Sequence, residues 1–280
     1  MPRITKKDIY LENGIELVKA GKSSWHIVTP IGHMPPVLVD GNKKIGKGVF
    51  HFSTLAGDLE YNVTIANGQK MTMRGTCAGT CENGYCVRGH YKVRQSVKNS
   101  LANKTLLARE HLDFLEKAIN AQIKADNIKT IRIHATGDFF SVEYLEMWKR
   151  VITSNPNTIF WTYTKETNAE KAFDSLPNAN IVKSNVPMLD NVNSATNGYN
   201  FGHIDYIIAL YNALKGLGKS VYICRCGIDE SQHCTNCTAC AKCDNVLFCE
   251  HGTDYNAKKD PRYNEFVDLV NSQDKRFITE

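Results

Sequence analysis

The sequence predicts an α/β protein built as a partial or full (β/α) TIM-like barrel with a cysteine-rich C-terminal appendage. Strand-like runs alternate with helical segments between residues 49 and 224, and strands that are separated by helices pair in parallel. A chain of 280 residues with an ordinary apolar fraction can bury one large core or two modest ones, and one large domain with a small appendage fits best. The alternation stops at residue 225, where the cysteines concentrate. An open doubly wound sheet is the competing arrangement.

Residues 1–48 are expected to form an N-terminal helix and an irregular segment. Apolar residues recur at helical spacing over residues 6–19, and Gly21 is suited to end that helix. Residues 24–45 contain three prolines and several glycines, which favour irregular structure or short strands.

Residues 49–224 are expected to form the barrel core, with a cluster-binding loop at residues 77–86. The pattern of β-branched and apolar residues predicts strands at 49–53, 61–65, 130–134, 158–163, 179–183 and 220–224. Helical spacing predicts helices at 97–125, 141–153, 168–176 and 204–217.

Residues 225–280 are expected to form a cysteine-rich, metal-binding segment with a charged tail. Residues 225–250 contain almost no large apolar side chains, so a metal would replace the missing core. A short helical patch is expected near residues 266–270.

Composition excludes several classes of protein. The first residues, MPRITKK, begin no apolar signal-peptide run, and no segment approaches the ~18 apolar residues of a membrane span. The expected protein is therefore soluble, unexported and cytoplasmic, with no membrane partner. Its ten cysteines should remain thiols, which makes metal binding the first explanation for them. The net charge of +5 permits a phosphate-bearing substrate without requiring one.

The first cysteine group places Cys77, Cys81 and Cys86 in a loop that contains several glycines. Glycine lets the backbone curl until three sulfurs converge on one centre. If that centre is a four-iron cluster, one iron is left open to an exogenous ligand. A zinc site completed by His90 or by another cysteine is the alternative.

These motifs resemble those of known proteins. The radical S-adenosylmethionine superfamily spaces three cysteines by three and then two residues, with an aromatic residue before the last. Here the second gap is four residues, while Tyr85 precedes Cys86. Together with HATGDFFS at 134–141, YLEMW at 144–148 and FWTYTK at 160–165, the loop resembles an uncharacterised phage gene-product family, itself similar to a divergent branch of that superfamily. The resemblance covers residues 61–251.

The resemblance implies a [4Fe-4S] cluster on the first three cysteines and S-adenosylmethionine bound at its open iron. Asp138, after Gly137, would accept a hydrogen bond from the methionine amino group. Further cofactor contacts are expected from Tyr85, Thr162 and Lys165. The residues themselves leave other roles open: Asp138 or Ser141 could cap the following helix, and Lys165 could be a solvated turn residue.

Two further side chains in this region have open roles. His134 is either a ligand or proton carrier, or a buried core group. Trp148 and Trp161 are expected to pack rather than to stack on a ligand.

The second cysteine group is a run of two-residue gaps, a spacing typical of metal ligands. The expected ligands are Cys226, Cys234, Cys237 and Cys240, and the ion is either a second iron–sulfur cluster or zinc. The alternates are Cys224, Cys243 and Cys249, with His233 and His251 as substitutes for zinc.

The leading hypothesis is a radical S-adenosylmethionine-like enzyme that needs an electron donor and acts on an unknown substrate, in the host cytoplasm if a phage encodes it. The alternative is a zinc-stabilised, non-catalytic phage or host-interaction protein that binds nucleic acid. A third hypothesis is an electron carrier or sensor that keeps the cluster without the cofactor. The basic run that would contact nucleic acid, or form a solvated helix face instead, consists of Arg88, His90, Lys92, Arg94, Lys98 and Lys104.

Overall fold

The computed structural model describes residues 4–41, 45–77, 94–184, 198–225, 228, 233–249 and 256–273. The chain is a mixed α/β protein that divides into two compact units. Unit 1 comprises Met1–Asp40, Gly48–Thr162 and Lys171–Ala179, and unit 2 comprises Gly41–Lys47, Tyr163–Glu170 and Asn180–Glu280. The expected core of residues 49–224 is thus shared between both units, and the domain boundaries at 48 and 224 stay a prediction.

The N-terminal part of unit 1 is a short helix followed by a small antiparallel sheet. Helix α1 (Lys6–Glu12) is followed by β1 (Leu17–Lys19), β2 (Trp25–Thr29) and β3 (Gly32–Met34). The expectation of a helix over residues 6–19 is wrong in its second half. The helix ends before Gly14, whose φ of 70° is left-handed, and residues 17–19 pair instead with β2.

The main sheet of unit 1 has the order β4-β5-β8-β9. Its strands are β4 (Val39–Asp40), β5 (Val49–His51), β8 (Thr130–Ile133) and β9 (Ile159–Thr164), the last belonging to this unit as far as Thr162. Strands β5, β8 and β9 are parallel, while β4 is antiparallel to β5. Parallel strands of this kind place their carboxyl ends at one edge.

The predicted strand at 61–65 exists but lies in a separate hairpin. Strand β6 (Glu60–Thr64) pairs antiparallel with β7 (Lys70–Arg74), a strand that the sequence analysis missed. A tight turn joins them, with Gly68 at a φ of 89°. The short connection makes this pairing local and keeps β6 out of the parallel set.

A second helix of unit 1 also differs from its prediction. The long helix expected at 97–125 is two helices, α2 (Gln95–Glu110) and α3 (Leu112–Asp126). They meet at His111, whose φ of −139° and ψ of 50° are not helical. Helix α4 (Val142–Ser154) matches its prediction within one residue.

Unit 2 contains a four-stranded parallel sheet in the order β10-β11-β13-β12. The strands are β10 (Ala179–Lys183), β11 (Gly198–Gly202), β12 (Val221–Ile223) and β13 (Asn245–Cys249). The helices are α6 (Ile204–Gly216), α7 (Ala239–Lys242) and α8 (Tyr263–Ser272), while α5 (Thr167–Phe173) crosses the division between the units.

The position of β13 corrects the expectation that residues 225–250 lack an apolar core. Val246 and Leu247 are fully buried, and β13 lies between β11 and β12. A four-residue apolar run gives only a weak periodic signal. The neighbouring cysteines favoured the prediction of a metal site over that of a strand.

Parallel strands with helices between them agree with the predicted alternation in both units. Closure of these strands into a barrel stays a prediction. Within the described ranges, no helix is both long and apolar enough to cross a membrane.

Candidate functional site

Cys77 is held at the edge of unit 1 by backbone hydrogen bonds. The amide of Cys77 donates to the carbonyl of Gly57 (3.2 Å), and the amide of Thr76 donates to Leu55 (2.9 Å). The preceding Gly75 has no room for a side chain, because an added Cβ would lie 2.2 Å from the Gly57 carbonyl oxygen. Cys77 itself is buried. The start of the predicted cluster loop therefore has a fixed position.

The hydroxyl of Thr76 joins this segment to the turn that contains Asp138. Its Oγ1 donates to the Leu55 carbonyl (3.0 Å) and accepts from the Asp138 amide (3.1 Å). Because its single proton goes to Leu55, the Thr54 hydroxyl must be the donor in the Thr54–Thr76 contact of 2.8 Å. One donor and two acceptor positions are thus all used, in a buried setting. The structure places Cys77 one residue from a side chain that binds the Asp138 backbone.

Gly137 is required by this close approach. Its φ of 83° is left-handed, and an added Cβ would lie 1.8 Å from Oγ1 of Thr54 and 2.7 Å from Oγ1 of Thr76. Thr136 completes the contact, since its hydroxyl donates to the Thr54 carbonyl (2.9 Å). The residues Gly137 and Asp138, predicted as cofactor contacts, are therefore brought beside the first predicted metal ligand.

His134 creates the bend that leads into this turn. The backbone amide of Phe52 donates to the carbonyl of Arg132. In a regular parallel ladder the amide of His134 would then donate to the carbonyl of Phe52. The carbonyl of Phe52 instead accepts from Ala135, so one extra residue is present, and His134 has a left-handed φ of 58°. The bulge redirects the chain at the carboxyl end of β8.

The imidazole of His134 is a buried core group with a polar contact. Its Nε2 lies 2.8 Å from the hydroxyl of Tyr144, and its Nδ1 finds no hydrogen-bond partner among the described residues. Burial, reinforced by the charge of Arg132, lowers the pKa of His134 to about 3. The imidazole is therefore neutral at pH 7.

Helix α4 is capped by Ser141, not by Asp138. The Ser141 hydroxyl accepts from the amide of Tyr144 (3.2 Å), which confirms one of the two capping alternatives. One carboxylate oxygen of Asp138 accepts from the amide of the next residue, Phe139 (2.8 Å).

Two of the other predicted cofactor residues are described by the structure. Thr162 is fully buried on β9 and is paired in register with Ile133, while Lys165 is exposed and belongs to unit 2. Cys81, Cys86 and Tyr85 lie outside the described residues, as does the alternative ligand His90. Their roles stay predictions.

Unit 1 also contains a row of polar and aromatic side chains that was not predicted from the sequence. His51, Arg132 and Trp161 are neighbours in register on β5, β8 and β9. The Arg132 guanidinium lies over the Trp161 ring, 5.1 Å from its centroid. Nδ1 of His51 lies 3.2 Å from the hydroxyl of Ser53. The signal was present in TIRIH, where a charged residue alternates with apolar ones.

The second cysteine group lies in unit 2, between β12 and β13. None of the seven cysteines in the described part of the chain is in a disulfide. Cys234 begins a short 3₁₀ turn, Cys237 follows it, Cys240 lies in α7 and Cys243 follows that helix. Cys224 follows β12, and Cys249 is the last residue of β13.

Polar side chains hold the thiols of this group. The Tyr163 hydroxyl donates to Sγ of Cys240 (2.7 Å), and the side-chain amide of Asn180 donates to the backbone carbonyl of Cys240 (2.8 Å). The hydroxyl of Ser220 lies 3.1 Å from Sγ of Cys243. Burial raises the pKa of Cys237 and of Cys243, so each prefers the neutral thiol unless a cation is near.

The predicted ligand set of the second group is incomplete in the described ranges. Cys226 and the substitute His251 lie outside them. Among the residues that are described, no three His, Cys, Asp or Glu side chains are grouped so that they could hold a metal ion. The described members alone do not form a centre, and the metal assignment stays a prediction.

The basic run is only partly a solvated helix face. Arg94 is exposed, but Lys104 is 4% exposed and its ammonium lies 5.9 Å from the centroid of the Phe52 ring. Burial lowers the pKa of Lys104 to about 8. The expectation that Lys104 is solvated or contacts nucleic acid is therefore wrong, whereas Arg88, His90 and Lys92 lie outside the described residues.

Comparison with known proteins gives the family. The model of a family described as Gene product 88 matches residues 36–252. The chain belongs to the Gene product 88 family. The match spans both cysteine groups and the turn at Asp138.

One curated relative and the solved structures add to this. The chain is 33% identical to the Gene 88 protein of Mycobacterium phage L5 over an alignment of 136 residues, and the match covers 43% of this chain and 54% of that protein. The chain thus spans about half the length of this curated phage relative of the Gene product 88 family. No solved structure matches the chain.

Proposed function

We propose that this protein is a radical S-adenosylmethionine-like enzyme that binds a [4Fe-4S] cluster through Cys77, Cys81 and Cys86. The observation that carries the proposal is the hydrogen bond from the Asp138 amide to Thr76, which puts the first cysteine beside the turn expected to contact the cofactor. The turn follows the carboxyl end of the parallel strand β8, and Cys77 is bonded to Gly57 in the segment that follows the parallel strand β5. The carboxyl ends of parallel strands are the usual position of active sites in such sheets.

The described residues fit the proposed group as far as they reach it. Cys77 is buried, is not in a disulfide and enters the loop from a fixed backbone, as a cluster ligand requires. When bound, the cluster and S-adenosylmethionine would supply one-electron reductive cleavage of a carbon–sulfur bond.

The protein's own residues would hold and orient these groups. Cys77 would be one of three thiolate ligands. Asp138 would accept a hydrogen bond from the amino group of the cofactor, with its backbone fixed by Thr76. The neutral imidazole of His134 would shape the turn without adding charge. Electrons would come from an external one-electron donor.

Anaerobic reconstitution tests the proposal. The protein should bind iron and acid-labile sulfide and, with dithionite as electron donor, convert S-adenosylmethionine to methionine and 5′-deoxyadenosine, whose new hydrogen comes from substrate or solvent. Cys77→Ala should lose this iron, while the matched control Cys240→Ala should keep the iron that responds to the cofactor.

Three results would replace the proposal. Stoichiometric zinc without iron and sulfide would support the zinc-stabilised protein, and a gel shift that weakens with salt would then support its binding to nucleic acid. A cluster whose spectrum S-adenosylmethionine leaves unchanged would support an electron carrier or sensor. Iron retained by Cys77→Ala would assign the cluster to the second cysteine group.

A further inference from the structure

Arg109, in the last turn of α2, contacts the two segments that the proposed function brings together. Its Nη2 donates to the carbonyl of Gly75 (3.1 Å), two residues before Cys77. Its guanidinium also lies over the ring of Phe140, 5.5 Å from the ring centroid, and Phe140 comes two residues after Asp138. One side chain therefore links the entrance of the predicted cluster loop to the turn at Asp138.

This link is separate from the one made by Thr76. The Thr76 hydroxyl is buried and accepts from the Asp138 amide, whereas Arg109 is exposed and reaches the same two segments from the end of α2. A planar guanidinium donates hydrogen bonds in its plane while an aromatic ring packs against its face, so both contacts of Arg109 are compatible. The two segments are thus joined at two points.

The charge of Arg109 is not neutralised by an ion pair. The exposed arginines Arg74 and Arg150 are each paired with a carboxylate. Within the described ranges Arg109 has no such pair. Burial lowers the pKa of Arg109 and the charge of Glu110 raises it, but a guanidinium stays protonated at pH 7 in either case. A positive charge is therefore held at the segment that leads to Cys77.

We propose that Arg109 is a positioning residue of the proposed cluster site, which fixes the entrance of the loop against the Asp138 turn and favours the reduced cluster by its charge. The inference rests on the proposed function. A four-iron cluster on three thiolates is negatively charged, and reduction adds to that charge, so a nearby cation stabilises the reduced form. Consecutive Cα atoms are about 3.8 Å apart, which puts a guanidinium bonded to Gly75 within roughly 10 Å of the Cys77 backbone.

Hydrogen exchange of the full-length chain without iron tests the fixing of the two segments. The reporters are the amides of Cys77 and Asp138, which donate to the Gly57 carbonyl and to Thr76. Loss of one hydrogen bond and the stacking contact should make both amides exchange about fivefold faster in Arg109→Met. The control Arg150→Met removes an exposed arginine of α4 and should leave both rates unchanged.

A redox titration of the reconstituted protein tests the charge. At the potential where half of the unmodified cluster is reduced, the ratio of reduced to oxidised cluster should fall about threefold to tenfold in Arg109→Met. Arg109→Lys keeps the charge and should retain a ratio close to that of the unmodified protein. A residue that only supports the fold would not separate the methionine variant from the lysine variant in this way.

The inference is overturned if Arg109→Met exchanges its Cys77 and Asp138 amides as Arg150→Met does, or if its cluster has the same midpoint potential as that of Arg109→Lys. Equal potentials on an intact cluster would remove the role of Arg109 and leave the proposed function standing. If the unmodified chain forms no cluster, the proposed function fails and the charge effect fails with it. The exchange rates of the iron-free chain then decide alone whether Arg109 fixes the two segments.

Discussion

The two cysteine-bearing regions are fixed by different means. In unit 1 the chain next to the thiol is held: Thr76 and the backbone of Cys77 are bonded to the segments that follow β5 and β8. In unit 2 the thiols themselves are contacted, as Cys240 is by Tyr163 and Cys243 by Ser220. The first arrangement sets the position of a loop entrance, and the second gives the sulfurs of Cys240 and Cys243 a polar neighbour.

This difference predicts that the unit 1 region is sensitive to changes in backbone and hydroxyl groups. The unit 2 region should respond mainly through the reactivity of its thiols. Four substitutions test the comparison, and they are arranged from the largest expected effect to the smallest.

Gly137→Ala should cause the greatest damage. The new methyl group would collide with the Thr54 hydroxyl at a backbone φ of 83°, so we expect a loss of about 3 kcal/mol or more in unfolding free energy. Denaturant titration measures it. Gly68→Ala is the control, because its φ of 89° is equally left-handed but nothing lies within 4 Å, so about 1 kcal/mol should be lost. Equal losses would mean that the close approach to Thr54 is unimportant.

Thr76→Val should cost about 2–3 kcal/mol, because it leaves the Asp138 amide and the Thr54 hydroxyl without their partner. Thr76→Ser keeps the hydroxyl and should lose about 1 kcal/mol or less, from the missing methyl group. If the proposed function is correct, the valine variant should also weaken S-adenosylmethionine binding more than the serine variant does. Identical behaviour of the two variants would show that the hydroxyl does not connect the two segments.

The acid sensitivity of unit 1 should depend on His134. Since its folded pKa of about 3 lies below the ordinary value near 6.5, the unfolded chain takes up the proton first as pH falls. The contribution of neutral His134 to the free energy of unfolding is complete above pH 6.5. It is lost between pH 6.5 and 3, at up to about 1.4 kcal/mol per pH unit. Denaturant titrations at pH 7, 6 and 5 measure this slope.

His134→Asn should flatten that pH dependence, because asparagine tolerates the left-handed backbone and does not titrate. The matched control is His33→Asn, which replaces an exposed histidine and should leave the pH dependence of the unfolding free energy unchanged. A slope that is unchanged in His134→Asn would assign the acid sensitivity to other groups.

Tyr163→Phe should have the smallest effect on stability, about 1 kcal/mol, because one hydrogen bond to a thiol is lost. Alkylation of Cys240, followed by mass spectrometry of the peptide, should become faster. Tyr263→Phe, in the separate apolar cluster of unit 2, is the control and should not alter the rate. Unchanged labelling in Tyr163→Phe would remove the contrast between the two regions.

The sequence was informative where periodicity was strong. Strand β10 was predicted at its observed bounds, and helix α6 within one residue, because each has a clear run or a clear helical repeat. The second half of the predicted N-terminal helix failed because strand pairing with β2 overrode local spacing. The strand β13 was missed because four apolar residues carry little periodic signal.

The site was predictable in its parts and not in its connections. Gly137 and Asp138 were identified from a motif, but Thr76 and Thr54 are small polar residues whose importance arises only when distant segments meet. Arg132 was overlooked for a related reason. Its alternation within TIRIH was visible, but the aromatic partner that stabilises it is on the next strand.

The order of strands in unit 2 has a consequence for how the chain folds during synthesis. Strand β13 lies between two strands that leave the ribosome earlier, so β11 and β12 each lack their β13 neighbour until the residues beyond the cysteine run have emerged. A nascent chain that stops before Asn245 would leave the edges of β11 and β12 that β13 later occupies unpaired. These two edges are where a protein that shields unpaired strands would bind during synthesis.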